Sequence, residues 1–95
     1  MTPSGVDVGL RFARLAKAVG HPARVAILHI LRKQHGPIPC VEIVSQLPLA
    51  QSTVSAHLRV LVEAGLIVGE SVPPRVRYRL DPKGLAELKR LTAEL

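Results

Sequence analysis

Between Gln51 and Ala64 the chain reads QSTVSAHLRVLVEA, and the side chains there that can do chemistry are short and hydrogen-bonding or cationic: Gln51, Ser52, Thr53, Ser55 and Arg59, with the small Ala56 among them. On a helical period Val54, Leu58, Leu61 and Val62 fall at i, i+4, i+7 and i+8, which makes one apolar stripe. Gln51, Ser52, Ser55, Ala56 and Arg59 are left on the opposite side. No acid precedes Glu63, so this face approaches a negatively charged polymer without repulsion. In a major groove about 12 Å wide, Gln bridges adenine and Arg bridges guanine. The hydroxyls hold either base edges or phosphate oxygens, and phosphate contacts position without specifying. The plain alternative is an ordinary amphipathic core helix. For Thr53, bonding to the backbone of the first helical turn is an equal alternative.

A second set of cations follows a period of two. Arg75, Arg77 and Arg79 alternate with Val76, Tyr78 and Leu80, as they would along a strand with the arginines on one face. Such a face flanks a DNA backbone or enters a minor groove, which is narrow and more negative in A-tracts; otherwise it is a solvated strand. Arg75, nearest the turn, is the first choice for contact, followed by Arg77. Arg79 has the alternative of pairing with a carboxylate.

Composition agrees with a polyanionic partner. Thirteen Lys and Arg against seven Asp and Glu give a formal charge of +6, which would double in a dimer. Ninety-five residues allow one domain. Its core must come from Leu, Val, Ile and Ala, because Phe12 and Tyr78 are the only aromatic rings in a sequence that is 47% hydrophobic. So much aliphatic surface on so short a chain predicts dimerisation. No run approaches the roughly eighteen apolar residues of a membrane span, and the N-terminus has no signal-peptide pattern. One cysteine forms no internal disulfide, so the expected compartment is the cytoplasm.

The elements that must carry these residues can be placed in order. Residues 1–9, with Pro3, Gly5 and Gly9, are expected to be a flexible segment, and residues 10–95 the folded domain. A first helix from near Leu10 carries Phe12, Leu15, Ala16 and Val19 on one side and closes at Gly20. The second, Pro22 to about Gln34, is apolar nearly all round and is expected at the buried centre. A third carries Cys40, Ile43, Val44 and Leu47. Pro48 then forces a short connection into the helix from Gln51, which Gly65 ends. Two helices so joined form a helix-turn-helix. Beyond Gly65 a two-stranded hairpin turns at Ser71–Pro74, and Asp81-Pro82 starts a last helix with Leu85, Leu88, Leu91 and Leu95. The predicted fold is mainly α, in the order α-α-α-α-β-β-α, with a two-stranded β-hairpin wing: a winged helix-turn-helix. Leu10, Phe12, Leu85, Leu88, Leu91 and Leu95 offer more apolar surface than one domain needs, so the first and last helices are the expected homodimer interface.

Three runs, AVGHPARVAIL, QSTVSAHLRVLVEAGLI and VRYRLDP, resemble the ArsR/SmtB family of bacterial transcriptional repressors over Leu15 to Leu91. The resemblance implies a homodimer that sits on operator DNA and leaves it when an effector binds. A two-fold dimer with recognition helices about 34 Å apart implies an inverted-repeat operator. The family's metal sites are not matched. Where many members carry a cysteine pair in the third helix, this chain has Pro39 and Val41 with Cys40 between them, and on the last helix Asp81 is followed by Lys83 and no histidine. No metal and no cofactor are therefore expected.

Cys40 lies on the apolar stripe and reads as a small core residue; a thiol- or metal-responsive role requires it to be exposed and activated. His21, His29 and His35 have no ligand spacing, and His57 is expected to hydrogen-bond near a helix interface. A winged-helix module that binds a partner protein is the main rival function. An enzyme is not expected, since no nucleophile, base and acid set or phosphate-cradling loop occurs.

Overall fold

The computed structural model describes residues 4–95. The chain forms helices α1 (Gly5–Val19), α2 (Pro22–Arg32), α3 (Cys40–Val44), α4 (Gln51–Glu63) and α5 (Pro82–Ala93) and strands β1 (Ile38–Pro39), β2 (Ile67–Val72) and β3 (Arg75–Leu80). The mainly helical winged fold is present, with α3, a six-residue connection and α4 as the helix-turn-helix.

The local reasons for these boundaries are visible in the caps. Helix α1 starts at Gly5, earlier than the expected start near Leu10, because Ser4 and Asp7 form a capping box. The Asp7 amide donates to Ser4 Oγ at 3.2 Å, and the Ser4 amide donates to the Asp7 carboxylate at 3.3 Å. Of the expected flexible segment, Met1–Pro3 lie outside the described residues. Asp81 caps α5 as expected, its carboxylate accepting from the Lys83 amide at 3.0 Å. Gly65 has φ +80 and turns the chain out of α4 in the left-handed region.

The core is aliphatic. Leu15, Ile27, Ile43, Val54, Leu58, Leu61, Leu66 and Ile67 are its largest fully buried side chains, while Phe12 and Tyr78 pack against its edge. Helix α2 is less central than its sequence suggests. Only Ile27 and Leu31 are buried, and Val25 is exposed. Helix α2 fully buries a single stripe, with Leu28 and Ile30 partly buried against the core beside it.

The sheet has three strands, in the order β1-β3-β2, all antiparallel. The sequence predicts only the hairpin. Strand β1 is two residues long and places Ile38 opposite Tyr78 and Pro39 opposite Arg77. Pro39 donates no amide hydrogen, so it reads as a break in the sequence, yet an edge strand tolerates it. The hairpin strands run on to Val72 and resume at Arg75, leaving Pro73 and Pro74 as the turn.

Two close approaches lock the end of α4 to the outer helices. A Cβ on Gly84 would lie 1.7 Å from the Gly65 carbonyl oxygen, so only glycine lets α5 sit against that turn. Beside it, Arg11 of α1 makes two 2.9 Å hydrogen bonds to Glu87 of α5 and a 3.4 Å bond to the Ala64 carbonyl. By sequence Arg11 is one more cation of a basic chain. Instead it ties three helices together, and its bond to Glu87 holds the Glu87 carboxyl below its ordinary range.

Candidate nucleic-acid interface

Helix α4 buries Val54, Leu58 and Leu61, and this stripe holds it against α2, α3 and β2. Gln51, Ser52, Thr53, Ser55, Ala56 and Arg59 are all exposed. The fourth member of the predicted stripe, Val62, is also exposed, at 39%. Its place is one side of the groove between α4 and the wing. The N-cap position is Ala50, which has no side chain able to cap. The first amides of α4 therefore have no side-chain acceptor and stand at the positive end of the helix dipole.

The wing completes a cleft beside this helix. Gln51, Arg75, Val76 and Tyr78 line a cavity of about 370 Å³ with Pro39, Cys40 and Val41. A neighbouring groove of about 460 Å³ runs between Ser55, Arg59, Val62 and Glu63 of α4 and Gly69, Val76 and Tyr78 of the sheet. A Cβ on Gly69 would stand 3.3 Å from the Tyr78 ring, so the glycine keeps the floor of that groove open. Val76 and Tyr78 thus occupy the sheet face toward α4, and the strand alternation puts Arg77 and Arg79 on the other face.

Position along β3, with Arg75 at the tip, distinguishes the three arginines. Arg75, at the wing tip, is exposed and reaches the cleft of Gln51. Arg77 is half-buried and pairs in register with Glu70. Arg79 is an ion-pair partner, its Nε 2.5 Å from Glu70 Oε1, and it also donates to the Leu80 carbonyl at 3.3 Å.

Cys40 is partly buried against the core, with Sγ 3.8 Å from Ser55 Oγ. His57 faces α1 and α2. Its Nδ1 lies 3.3 Å from Arg24 Nη1, and its ring centroid is 4.5 Å from that of His21. Burial, then His21 and Arg24, lower the His57 pKa from its ordinary value. Arg24 is a residue the sequence does not single out. It donates to the carbonyls of Ala18 at 2.6 Å and Lys17 at 3.1 Å, closing the end of α1 while touching α4. An Arg inside PARVAIL shows no periodic signal for this role. Glu63, in sequence no more than the first acid of its helix, is exposed one turn beyond Arg59.

The six residues expected at a dimer interface divide. Leu10 is 57% and Leu95 89% exposed, whereas Phe12, Leu85 and Leu88 are partly buried against the core. Leu91 is 5% exposed within the single chain and belongs to its core. The apolar spacing of α5 could not separate an inner leucine from outer ones. No group of three or more potential metal ligands occurs among the described residues, and no helix among them is long and apolar enough to cross a membrane.

Comparison with known proteins assigns this architecture. The profile of a helix-turn-helix domain family matches residues 19–70, more than half of the chain. The HTH-type transcriptional regulator Rv2034 of Mycobacterium tuberculosis is 38% identical over 80% of this chain and 69% of its own. The HTH-type transcriptional repressor SmtB of the same species is 39% identical over 78% of this chain, which spans about half of that relative, 53%. Among solved structures, a homodimeric winged helix-turn-helix DNA-binding domain from Mycobacterium bovis, a possible ArsR-family transcriptional regulator, superposes with a TM-score of 0.75. It is 26% identical and the match covers 99% of this chain and 87% of that one. With the exposed α4 face and the wing beside it, these likenesses place the chain in the ArsR/SmtB family of winged helix-turn-helix, DNA-binding transcriptional regulators.

Proposed function

We propose that the chain acts in the cytoplasm as a homodimeric repressor that grips an inverted-repeat operator and needs no metal at the usual family sites. The observation that carries this reading is the exposed face of α4, with its uncapped N-terminus, no acid before Glu63, and Arg75 across the same cleft. In this reading Gln51 and Arg59 read base edges. Ser52, Thr53 and Ser55 hold phosphates or bases, and Ala56 permits close approach. The uncapped amides of the first turn take a phosphate. Arg75 follows the backbone or the minor groove beside the wing tip, and Arg77 contributes from the outer face of the sheet.

The folded unit in this proposal runs from α1 through α5, and Leu10, Phe12, Leu85, Leu88 and Leu95 make the dimer from its first and last helices. Leu91 supports that surface from beneath. Selection of duplexes from a random pool, followed by footprinting, tests the reading. Two half-sites in inverted orientation, with centres about 34 Å apart, are the expected result. A single half-site, or no enrichment at all, would contradict it.

A further inference from the structure

Away from the DNA face, α2 and α5 diverge over the end of β3 and leave a groove of about 320 Å³. Its chemistry is divided. Val25, Leu28, Leu80 and Leu85 give it an aliphatic floor, while His29, Arg32 and Lys89 bring basic groups to its rim and no acid lines it. Val25 keeps 37% of its surface exposed there. The carboxylates of α5 and its C-terminal end that could answer these cations are engaged elsewhere, Glu87 with Arg11 and Glu94 with Arg90. Arg32 and Lys89 form no ion pair among the described residues.

We propose that this groove binds a small amphipathic organic anion, a carboxylate carried on a short aliphatic body. Arg32 and Lys89 take the carboxylate, Arg32 with the planar fork that suits it, and the four aliphatic side chains remove the tail from water. The volume lies at the small end of ligand pockets, about 300–1,000 Å³, so the tail is short. An occupant touches Leu80, at the base of the wing, and Leu85, itself one of the residues assigned to the dimer contact, so the groove borders that contact. It therefore acts as an effector wherever the two dimer states offer it different contacts. That last step rests on the DNA-binding reading; the binding itself does not.

Calorimetric titration of the whole chain with octanoate, and with the neutral octanamide, tests the site. Octanoate is expected to bind one site per chain at least tenfold more tightly than octanamide. Arg32→Glu and Lys89→Glu should each abolish that preference. Both side chains are exposed, and circular dichroism of the variants verifies that they fold. The proposal is overturned if octanoate binds no tighter than octanamide, if both charge reversals leave its affinity unchanged, or if it binds only where the dimer dissociates, since a second copy then covers the groove. DNA affinity measured with and without saturating octanoate reads the effector step separately. No change there removes the effector role, whereas absence of DNA binding in both arms contradicts the DNA reading and leaves the site standing.

Discussion

Single atoms decide several properties of this chain. Adding a methyl group at Gly84 drives a Cβ into the Gly65 carbonyl oxygen at 1.7 Å, and both groups are backbone-fixed, so relief requires α5 to move away from the end of α4. Gly84→Ala should destabilise the fold by about 3 kcal/mol, measured by urea unfolding. Gly9→Ala, with nothing within 4 Å of the new Cβ in the interior of α1, should stabilise it by about 0.5–1 kcal/mol. His57 supplies a pH dependence. Its pKa is lowered from 6.5 by burial and by its neighbours His21 and Arg24, so the unfolded chain binds this proton more readily than the folded one. The contribution of a neutral His57 is present above pH 6.5 and is lost as pH falls through the lowered value. An NMR titration should place the His57 midpoint below 6.5, and His57→Gln should lose less stability than the wild type on acidification. At this scale the sequence was readable where a residue acts through its own chain neighbours, as Asp81 does at the start of α5. It was silent where a residue acts across the fold. Arg11 and Arg24 look like surface cations, and only the meeting of α1 with α5, and of α2 with α1 and α4, gives them partners.

At the scale of elements, the recognition helix could be read almost residue for residue, because one period sorts its buried stripe from its outer face and Gly65 marks its end. Strand β1 could not be read. It exists only through pairing with β3, and no local pattern in two residues records that partner. Strand β3 shows the limit from the other side, since alternation places its three arginines on one face, whereas the packing of Val76 and Tyr78 toward α4 turns that face outward. Arg75 alone, at the tip, lines the cleft beside Gln51. On α4, Glu63 is the acid that bounds the proposed DNA face. Glu63→Gln should strengthen binding to mixed-sequence duplex by roughly threefold at low salt without changing sequence preference, in a fluorescence titration. Unchanged binding would place Glu63 outside the DNA field, and weaker binding would contradict its role as a repelling acid.

For the molecule as a whole, a formal charge of +6 on 95 residues and the exposure of Val6, Leu10 and Leu95 belong to one arrangement in the proposed account, a cationic dimer closed by its outer helices. Leu10→Asp should shift the chain from dimer to monomer in sedimentation velocity. Affinity for an inverted repeat should drop with it, while the monomer's circular dichroism stays helical, since Leu10 lies outside the core. An unchanged dimer would move the interface elsewhere. The excess of apolar surface was legible in composition, but which leucines carry it was not, because Leu91 turns into the core of its own chain. The most direct test of the account is fluorescence anisotropy of the chain on its selected duplex and on a mixed-sequence duplex, at about 50 and 200 mM salt, with Arg59→Ala and Arg75→Ala beside the wild type. The account predicts affinity that falls more than tenfold between the two salts. Arg59→Ala should lose preference for the selected duplex, and Arg75→Ala should weaken both duplexes, with a salt slope reduced by about 0.9 for each phosphate left unneutralised. Weak binding that scarcely changes with salt, and that neither substitution alters, would contradict it.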